Sequence, residues 1–319
     1  MTLVHWDDVE ERRREKGEMA ATWQPLGDAA GSVGVGVNRA RIDRGRLSTP
    51  PHSHGASEEL VYVLGGSGLV WQDEAVFEIG AGDCVVFRAN ELEHALCGGD
   101  DGLDVLLYGT RHPTELGFLP RSSAVRFGWP WVEGRTDDPW DVEAEAEPLD
   151  FSNVGERPAN VVNAAETDPA WRAGEERDNW RDLASTAGSV SSGLNWIKLG
   201  PGQSGSPPHT HSEEEEVFVI LEGTGTLELW PAPVMEERKL AEREDHAVRA
   251  GHVIARPPAT RVAHRLVGGD DGLTYLAYGT RKPNDIAYYP RSRKVFFRGL
   301  GVIGRIEHLA YWDGEERDM

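Results

Sequence analysis

Two short segments of the chain combine a pair of histidines with a glutamate, and this combination is suited to holding a metal ion. Each segment begins with Pro-Pro and continues as His-x-His, followed by acidic residues. In an extended strand alternate side chains point to the same face, so the two histidines of each pair project together. Two imidazoles and a carboxylate are a ligand set for a divalent transition metal. The residues concerned are His52, His54 and Glu59, and, 157 positions later, His209, His211 and Glu216.

The alternative is a pair of surface histidines in a Pro-rich turn. One copy alone would leave that alternative open. The recurrence of the same residues in the same context later in the chain argues against surface histidines. The sequence therefore favours two metal sites.

Length and composition narrow the class of protein. The chain has 319 residues, enough for two domains, and is 39% hydrophobic and 27% charged, as in soluble globular proteins. The net charge of −21 argues against nucleic acid or an anionic membrane as partner, since phosphates are bound by clusters of Lys and Arg. There is no apolar run of the roughly 18 residues that a membrane span needs. Two cysteines and a start without a signal-peptide pattern predict a cytoplasmic protein.

An internal duplication sets the domain organisation. The first part of the repeat has an offset of 157, and the last part, including Tyr108-Gly109-Thr110-Arg111 and Tyr278-Gly279-Thr280-Arg281, has an offset of 170. The second copy therefore gains about a dozen residues between Trp230 and His246. We predict two versions of one domain, at residues 1–140 and 160–319, joined by an acidic linker. A monomer or a homodimer is expected.

The pattern within each copy is one of short strands and turns. Leu60–Leu64 is apolar and β-branched, and the Gly-Gly-Ser-Gly segment at 65–68 is predicted to end it. The Gly-x-Gly at 34–36 lies in continuing apolar alternation, so we interpret it as strand and exclude a dinucleotide site. Many short strands at this spacing predict a sandwich or barrel. Residues 7–19 are interpreted as a solvated arm or edge cover rather than a short helix, and the insertion at 235–245 as a longer hairpin loop rather than a lid or an oligomer contact.

The two copies together resemble the cupin superfamily, specifically a bicupin. The cupin pattern is His-x-His, Glu and Gly, then a second motif that begins with Gly and ends with His. The resemblance implies an all-β protein of two tandem double-stranded β-helix (jelly-roll) barrels, each with a metal held by three His and one Glu. The implied ligands are His52, His54, Glu59 and His94 in the first copy and His209, His211, Glu216 and His264 in the second.

Neighbouring acidic residues compete for the ligand role. Glu58 and the glutamates at 213–215 are adjacent to the chosen ligands, but only Glu59 and Glu216 have the six-residue gap to Gly66 and Gly223. We interpret the remaining glutamates as a solvated charge cluster.

For other residues near the motifs, the sequence gives weaker evidence of a function. Arg111 and Arg281 are predicted to bind an anionic substrate, although a structural role fits them equally well. Cys97 is predicted to be a small buried apolar residue. No catalytic residue beyond the metal ligands is identified.

The ligand sets leave three classes of function open. Three imidazoles and one carboxylate leave free positions on a divalent ion, with Fe²⁺ or Mn²⁺ favoured and Ni²⁺, Co²⁺ or Zn²⁺ compatible. The resemblance favours a dioxygenase acting on a small organic molecule. The second class is a redox-neutral isomerase, lyase or decarboxylase, supported by similarity to cupins labelled sugar-phosphate isomerase-like. The third is a binding protein without turnover.

Overall fold

The fold is described from a computed structural model that covers residues 3–127, 138–172 and 175–315. Residues 128–137, at the end of the predicted first domain, lie outside the described residues. Among the described residues, no helix is long and apolar enough to cross a membrane.

The first half of the chain is almost entirely strand. Its strands are β1 (Leu3–His5), β2 (Arg12–Lys16), β3 (Met19–Gln24), β4 (Val35–Ile42), β5 (Ser53–His54), β6 (Glu59–Gln72), β7 (Ala75–Gly80), β8 (Asp83–Phe87), β9 (His94–Thr110), β10 (Leu116–Leu119) and β11 (Ala124–Phe127). Helix α1 (Leu26–Ala29) is a single turn, and α2 (Pro139–Glu145) follows the first barrel.

The second half repeats this order. Its strands are β12 (Val161–Asn163), β13 (Ala170–Arg172), β14 (Glu175–Arg177), β15 (Trp180–Asp182), β16 (Ser192–Leu199), β17 (Thr210–His211), β18 (Glu216–Pro231), β19 (Glu244–Arg249), β20 (His252–Arg256), β21 (Val262–Thr280), β22 (Ile286–Tyr289), β23 (Lys294–Phe297) and β24 (Val302–Arg305). The helices are α3 (Leu183–Thr186) and α4 (Pro233–Glu237), and 3₁₀ turns lie at Trp6–Asp8 and Arg298–Leu300.

Each half folds as a large sheet together with a small one. The large sheets have the orders β12-β8-β6-β9-β4-β3-β2 and β1-β20-β18-β21-β16-β15, with β7 and β19 paired to β6 and β18. The small sheets are β11-β10-β5 and β17-β22-β23-β24. The predicted all-β fold of two tandem double-stranded β-helix barrels is confirmed. The small sheets matter for function because β5 and β17 contain His54 and His211.

The prediction that the Gly-Gly-Ser-Gly segment at 65–68 ends a strand is wrong. Strand β6 runs on to Gln72, with its register against β9 shifted between Val63 and Gly65 and again between Gly66 and Gly68. Gly66 has a φ of +75°, and a Cβ there would lie 2.2 Å from the carbonyl oxygen of Gly102. Glycine is needed at this position because the bulge requires both a left-handed backbone and close approach of β9.

Residues 12–16 form a strand and not the short helix that was the alternative for residues 7–19. β2 pairs with β3 at the edge of the first large sheet, in agreement with the predicted edge cover. The inserted residues 235–245 lie in the connection between β18 and β19, which pair from Leu229 and Glu244 onwards, so the longer hairpin loop is confirmed. The glycine-rich segment at 34–36 leads into β4 and forms no nucleotide-binding turn.

The two barrels pack against each other through one shared apolar core. This core includes Leu60 and Tyr108 from the first barrel and Leu194 and Tyr278 from the second, all fully buried. The rings of Tyr108 and Tyr278 stack with centroids 4.7 Å apart. The barrels therefore share the burial that stabilises each of them.

Each large sheet also receives an edge strand from the other half of the chain. β1, near the start of the chain, pairs with β20 of the second barrel, with Val4 opposite Val253. β12, which follows the predicted linker, pairs with β8 of the first barrel, with Val162 opposite Cys84. The boundaries at 140 and 160 thus stay a prediction, because hydrogen-bonded strands cross them in both directions.

Candidate metal centres

The first cluster of predicted ligands is brought together by three separate strands. His54 is the last residue of β5, Glu59 is the first residue of β6, and His94 is the first residue of β9. His52 is joined to His94 by an isolated antiparallel bridge. One ligand atom from each of the four side chains lies within 4.8 Å of the others. The Oε2 atom of Glu59 lies 2.8 Å from the Nε2 atom of His54, and 3.5 Å from that of both His52 and His94.

The other ring nitrogen of each histidine faces outward, to an acceptor. The Nδ1 partners are the carbonyl oxygen of Pro50 for His52 (3.0 Å), that of Leu92 for His94 (3.4 Å) and Oε1 of Glu115 for His54 (3.4 Å). A carbonyl oxygen only accepts a hydrogen bond, so for His52 and His94 this contact favours the proton on Nδ1. The inward-facing Nε2 then has a free lone pair, as a metal ligand requires.

The second cluster repeats this arrangement. His209, His211 and Glu216 have ligand atoms within 4.8 Å of one another. The Nε2 atom of His264 lies 2.8 Å from Oε2 of Glu216, compared with 3.4 Å for His211 and 3.8 Å for His209. Nδ1 of His209 lies 2.9 Å from the carbonyl oxygen of Pro207.

Three atoms at the centre of this second cluster are buried without a hydrogen bond. Within the described part of the chain, Nε2 of His211, Nε2 of His264 and Oε2 of Glu216 form no hydrogen bond. Leaving buried polar atoms unsatisfied costs free energy, so such atoms call for an explanation. A divalent cation between them would satisfy all three, and the donor set fits one.

The electrostatics of both clusters show carboxylates held in the charged form. Burial would raise the pKa of Glu59, but the three surrounding imidazoles outweigh it and hold that pKa well below the usual range. The pKa of Glu216 is likewise lowered by His211 and His264 against the effect of burial. Burial lowers the pKa of His94 to about 4 and that of His264 to about 3, so both are neutral at pH 7. Burial opposes the charged form of His54 and His211, but their carboxylate neighbours outweigh it and raise the pKa of each to about 10. A metal ion bound at either cluster would displace these protons.

An acidic side chain that the sequence analysis missed supports one histidine in each cluster. Asp285 is 1% exposed, and its Oδ2 lies 2.7 Å from Nδ1 of His211. Burial opposes its ionisation, but His211 and backbone N–H groups outweigh that and lower its pKa to about 2. Glu115 contacts His54 in the same way. The repeat offset of 170 aligns Glu115 with Asp285, and this was the signal that could have identified them.

The two centres differ in the side chain behind the last histidine. The ring of Phe87 stacks on that of His94, with centroids 3.7 Å apart and planes 4° apart. Arg256 occupies the equivalent register position, opposite Glu216 as Phe87 is opposite Glu59. Arg256 is 4% exposed, and burial lowers its pKa to about 10. The first centre thus has an apolar side chain at this position, and the second centre has a cationic one.

The interpretation of the acidic run as a solvated cluster is wrong for three of its members. Glu58, Glu214 and Glu215 are 1%, 3% and 3% exposed, whereas Glu213 is exposed. Glu58 accepts hydrogen bonds from the backbone of Val190 and Ser191, in the other barrel. These glutamates are buried because partners distant in sequence satisfy their oxygens.

Glu215 and Glu214 are satisfied in a similar manner. Glu215 accepts hydrogen bonds from the backbone N–H groups of Val33 and Gly34, in the first barrel. Glu214 accepts one from the backbone of Lys282 at 2.8 Å and pairs with Arg298. The sequence showed the charges but not these partners.

The predicted substrate-binding arginines lie at the walls of the two pockets but have structural partners. Arg111 pairs with Asp28 and donates to the carbonyl oxygen of Ser32. Arg281 pairs with Asp182 at 3.3 Å. Their role in substrate binding stays a prediction. Cys97 is 9% exposed and packs with Met19 and Leu47, as expected of a buried apolar residue.

Both clusters open into cavities. The first lines a cavity of about 320 Å³, which shares Trp23, Asn38 and Arg126 with an adjoining cavity of about 650 Å³. The second lines a cavity of about 400 Å³ that also contains Tyr289 and Arg298. Each centre is therefore accessible to a small molecule.

Comparison with known proteins agrees with this architecture. A family model described as a cupin domain matches residues 38–107, and a second, described as cupin, matches residues 189–300. No curated protein matches the chain. Among solved structures, oxalate decarboxylase from Bacillus subtilis at pH 4.6 has a TM-score of 0.57 and 18% identity, covering 87% of this chain and 75% of that one.

Two further structures of oxalate decarboxylase are similar to the same extent. One, from a study of the Mn(II) centres of the Bacillus subtilis enzyme, has a TM-score of 0.55 and 16% identity. The other, from a study of substrate binding mode and reaction specificity, has a TM-score of 0.56 and 16% identity. Each covers 87% of this chain and 76% of its own. At these identities the likeness concerns the fold.

Proposed function

Because the chain belongs to the cupin superfamily and contains two cupin domains in tandem, we propose that it is a metal-dependent bicupin enzyme. Each barrel would hold one divalent ion, with Mn²⁺ favoured. The proposed ligands are His52, His54, Glu59 and His94 in the first barrel and His209, His211, Glu216 and His264 in the second. The substrate is a small organic acid.

The observation that carries the proposal is the inward convergence of the ligand atoms. In both barrels the Nε2 atoms face one carboxylate oxygen, and in the second barrel three of these atoms are buried without a hydrogen bond. Outward contacts at Nδ1 hold His52 and His209 in this orientation. A protein that used these histidines only for packing would have no need of two such ligand sets.

The reaction type that we propose is redox-neutral, as in a decarboxylase or another lyase. In a decarboxylation the C–C bond to the carboxylate breaks, CO₂ leaves and a proton takes its place, so no oxidant is consumed. A bound divalent ion would supply Lewis-acid polarisation of the substrate oxygens. The likeness to oxalate decarboxylases supports this class over the dioxygenase favoured by the sequence, at the level of fold.

Elemental analysis tests the metal centres. Protein purified without added metal or a His-tag is compared with His52→Ala, His209→Ala and the control His112→Ala, which removes an exposed histidine. We expect about two ions per wild-type or control chain and a loss of one in each of the other variants. Metal-free wild-type protein whose stability does not respond to added Mn²⁺ would overturn the proposal.

The reaction class is tested with oxalate and a panel of larger carboxylic acids. Release of CO₂ under strictly anaerobic conditions, dependent on His52 or His209, would support decarboxylation. Oxygen uptake in proportion to substrate loss would instead establish the dioxygenase. Ligand-induced stabilisation without turnover of any compound would favour the binding protein.

A further inference from the structure

The first metal centre opens towards a strand that is rich in arginine. The cavity of about 650 Å³ is lined by His52 and His54 on one side and by β2 (Arg12–Lys16) on another. This volume is within the range of pockets for drug-sized ligands and much larger than a two-carbon acid requires. The cavity therefore has room for a molecule larger than a two-carbon acid.

The direction of the side chains on β2 follows from strand geometry. Alternate residues of a strand face the same side. Arg12, Arg14 and Lys16 line the cavity together with Glu15, whereas Arg13 does not and pairs with Asp43. The arginine run that the sequence placed in a solvated arm thus contributes three cations to the mouth of the first site.

A fourth cation comes from the small sheet. Arg126 on β11 lines both the 650 Å³ cavity and the inner cavity around the metal ligands. Arg14 also lines the larger cavity, so both guanidinium groups border the same space. An anion in that space would be attracted by both cations.

The carboxylates at this mouth are largely engaged elsewhere. Lys16 pairs with Asp141 and Asp138, and Glu15 contacts Arg13 and Arg46.

Arg14 itself lies over the ring of Trp140, 4.8 Å from its centroid. No carboxylate among the described residues lies within ion-pair distance of Arg14. Its charge is therefore available to a ligand.

The second site offers no equivalent of Arg14 among the residues that the structure describes. The arginines that line its cavity each pair with a carboxylate within the described chain. These pairs are Arg265 with Glu228, Arg281 with Asp182 and Arg298 with Glu214. The difference arises in a segment whose counterpart in the repeat is not basic: the residues 157 positions after Arg12, Arg14 and Lys16 are Pro169, Trp171 and Ala173.

The large cavity also has an apolar wall. Trp23 and Trp140 line it together with Leu119. Indole rings favour flat apolar or aromatic groups. The cavity thus combines an apolar wall, a pair of guanidinium groups and a metal-ligand cluster.

We propose that the first site takes an organic anion with an apolar or aromatic body, whose carboxylate or phosphate is held by Arg14 and Arg126. The body packs against Trp23 and Trp140, and the reacting end reaches the cluster at His52 and His54. This assignment rests on the proposed function for the reaction, but not for the binding. Arg is suited to both anions because its planar fork binds two oxygens at once.

The test is a binding experiment with three ligands of similar size: phenyl phosphate, phenylacetate and neutral benzyl alcohol. The readout is the fluorescence of the tryptophans at the cavity, with isothermal calorimetry as a second measurement. The variants are Arg14→Gln and Arg126→Gln, with Arg13→Gln as the control on the opposite face of the same strand. All three arginines are exposed, and thermal melting checks that the variants fold.

We expect at least one of the two anions to bind and benzyl alcohol to bind at least tenfold more weakly. Arg14→Gln and Arg126→Gln should each raise the Kd of that anion about tenfold, and Arg13→Gln should leave it unchanged. Which anion binds more tightly distinguishes a phosphate ester from a carboxylic acid.

Equal binding of benzyl alcohol, no binding of either anion, or an equal loss in Arg13→Gln would overturn the inference. Binding is measured with and without Mn²⁺ in the wild type and in His52→Ala. Wild-type protein that binds the anion but takes up no Mn²⁺ would refute the proposed function alone. Metal-loaded protein that binds neither anion would refute this inference alone.

Discussion

The carboxylate of Glu58, next to a proposed metal ligand of the first barrel, accepts a hydrogen bond from the hydroxyl of Ser189 in the second barrel at 2.6 Å. The reciprocal contact joins Glu215, next to a proposed ligand of the second barrel, to the backbone of Val33 and Gly34. The residue just before β6 and the residue just before β18 thus each accept hydrogen bonds from a loop of the other barrel. These hydrogen bonds link the two centres through β6 and β18.

Replacement of Glu58 by Gln tests this link. Hydrogen bonds to a charged group contribute about 1.5–3 kcal/mol, so we expect Glu58→Gln to lower the free energy of unfolding by about 2 kcal/mol at pH 7. Denaturant unfolding measures this. Glu213→Gln, at an exposed glutamate of the corresponding acidic run, is the control and should change stability by less than about 0.5 kcal/mol.

The effect of Glu58 should depend on pH with a definite sign. Burial would raise its pKa, but the hydrogen bonds from Ser189, Val190 and Ser191 outweigh it and lower that pKa. A depressed folded-state pKa gives stability that is present above the unfolded pKa, about 4.3, and is lost as pH falls through the folded value. The difference between wild type and Glu58→Gln should therefore be constant at pH 6–7 and shrink below pH 4. A difference that grows in acid would contradict this assignment.

Asp285 should control metal affinity at the second centre. It orients His211 through Nδ1, and loss of such a partner typically costs 10–100-fold in affinity. We expect Asp285→Asn to weaken one of two Mn²⁺ sites by that factor, as measured by competition with a chelator. The matched variant Glu115→Gln should weaken the other site. Weakening of the same site by both variants would show that the centres are not independent.

Phe87 should stabilise the first centre through its stacking on His94. It is 4% exposed, and truncation of a buried Phe to Ala costs about 3–5 kcal/mol. Besides this loss, Phe87→Ala should reduce metal retention at the first site only, because His94 loses the surface that fixes its ring. Phe127→Ala, at a 47% exposed position on β11, is the control. Equal metal loss in both variants would refute a specific role.

Separation of the two halves should expose how they depend on each other. Residues 1–140 would lack β12, and residues 160–319 would lack β1, so each large sheet would lose an edge strand. The shared core around Tyr108 and Tyr278 would also be exposed. We expect each half to aggregate or melt well below the intact chain, and co-expression to restore a complex. Two halves that are separately as stable as the whole would show that the crossing strands are dispensable.

Much of this organisation could be predicted from local patterns. Residue types at fixed spacing reveal the duplication, the short strands and both ligand sets. This is possible because the alternation of a strand and the His-x-His motif are local properties. For the same reason Glu59 and Glu216 could be chosen over their neighbours from a six-residue gap.

Relations between distant segments could not be predicted in this way. Glu58 and Glu215 look like solvated charges in the sequence, and their burial depends on backbone donors more than 130 residues away. The bulge at Gly66 that lets β6 continue depends on the approach of Gly102, and the pairing of β1 with β20 spans most of the chain.

The sequence by itself therefore determined the family, the number of barrels and the candidate ligands. Only the tertiary structure decided which charges are buried, which acids support the histidines and which face of the arginine-rich strand meets the first cavity. The physical reason is that burial and charge pairing are set by the segments that pack on a residue. Those segments are neighbours in space and not along the chain.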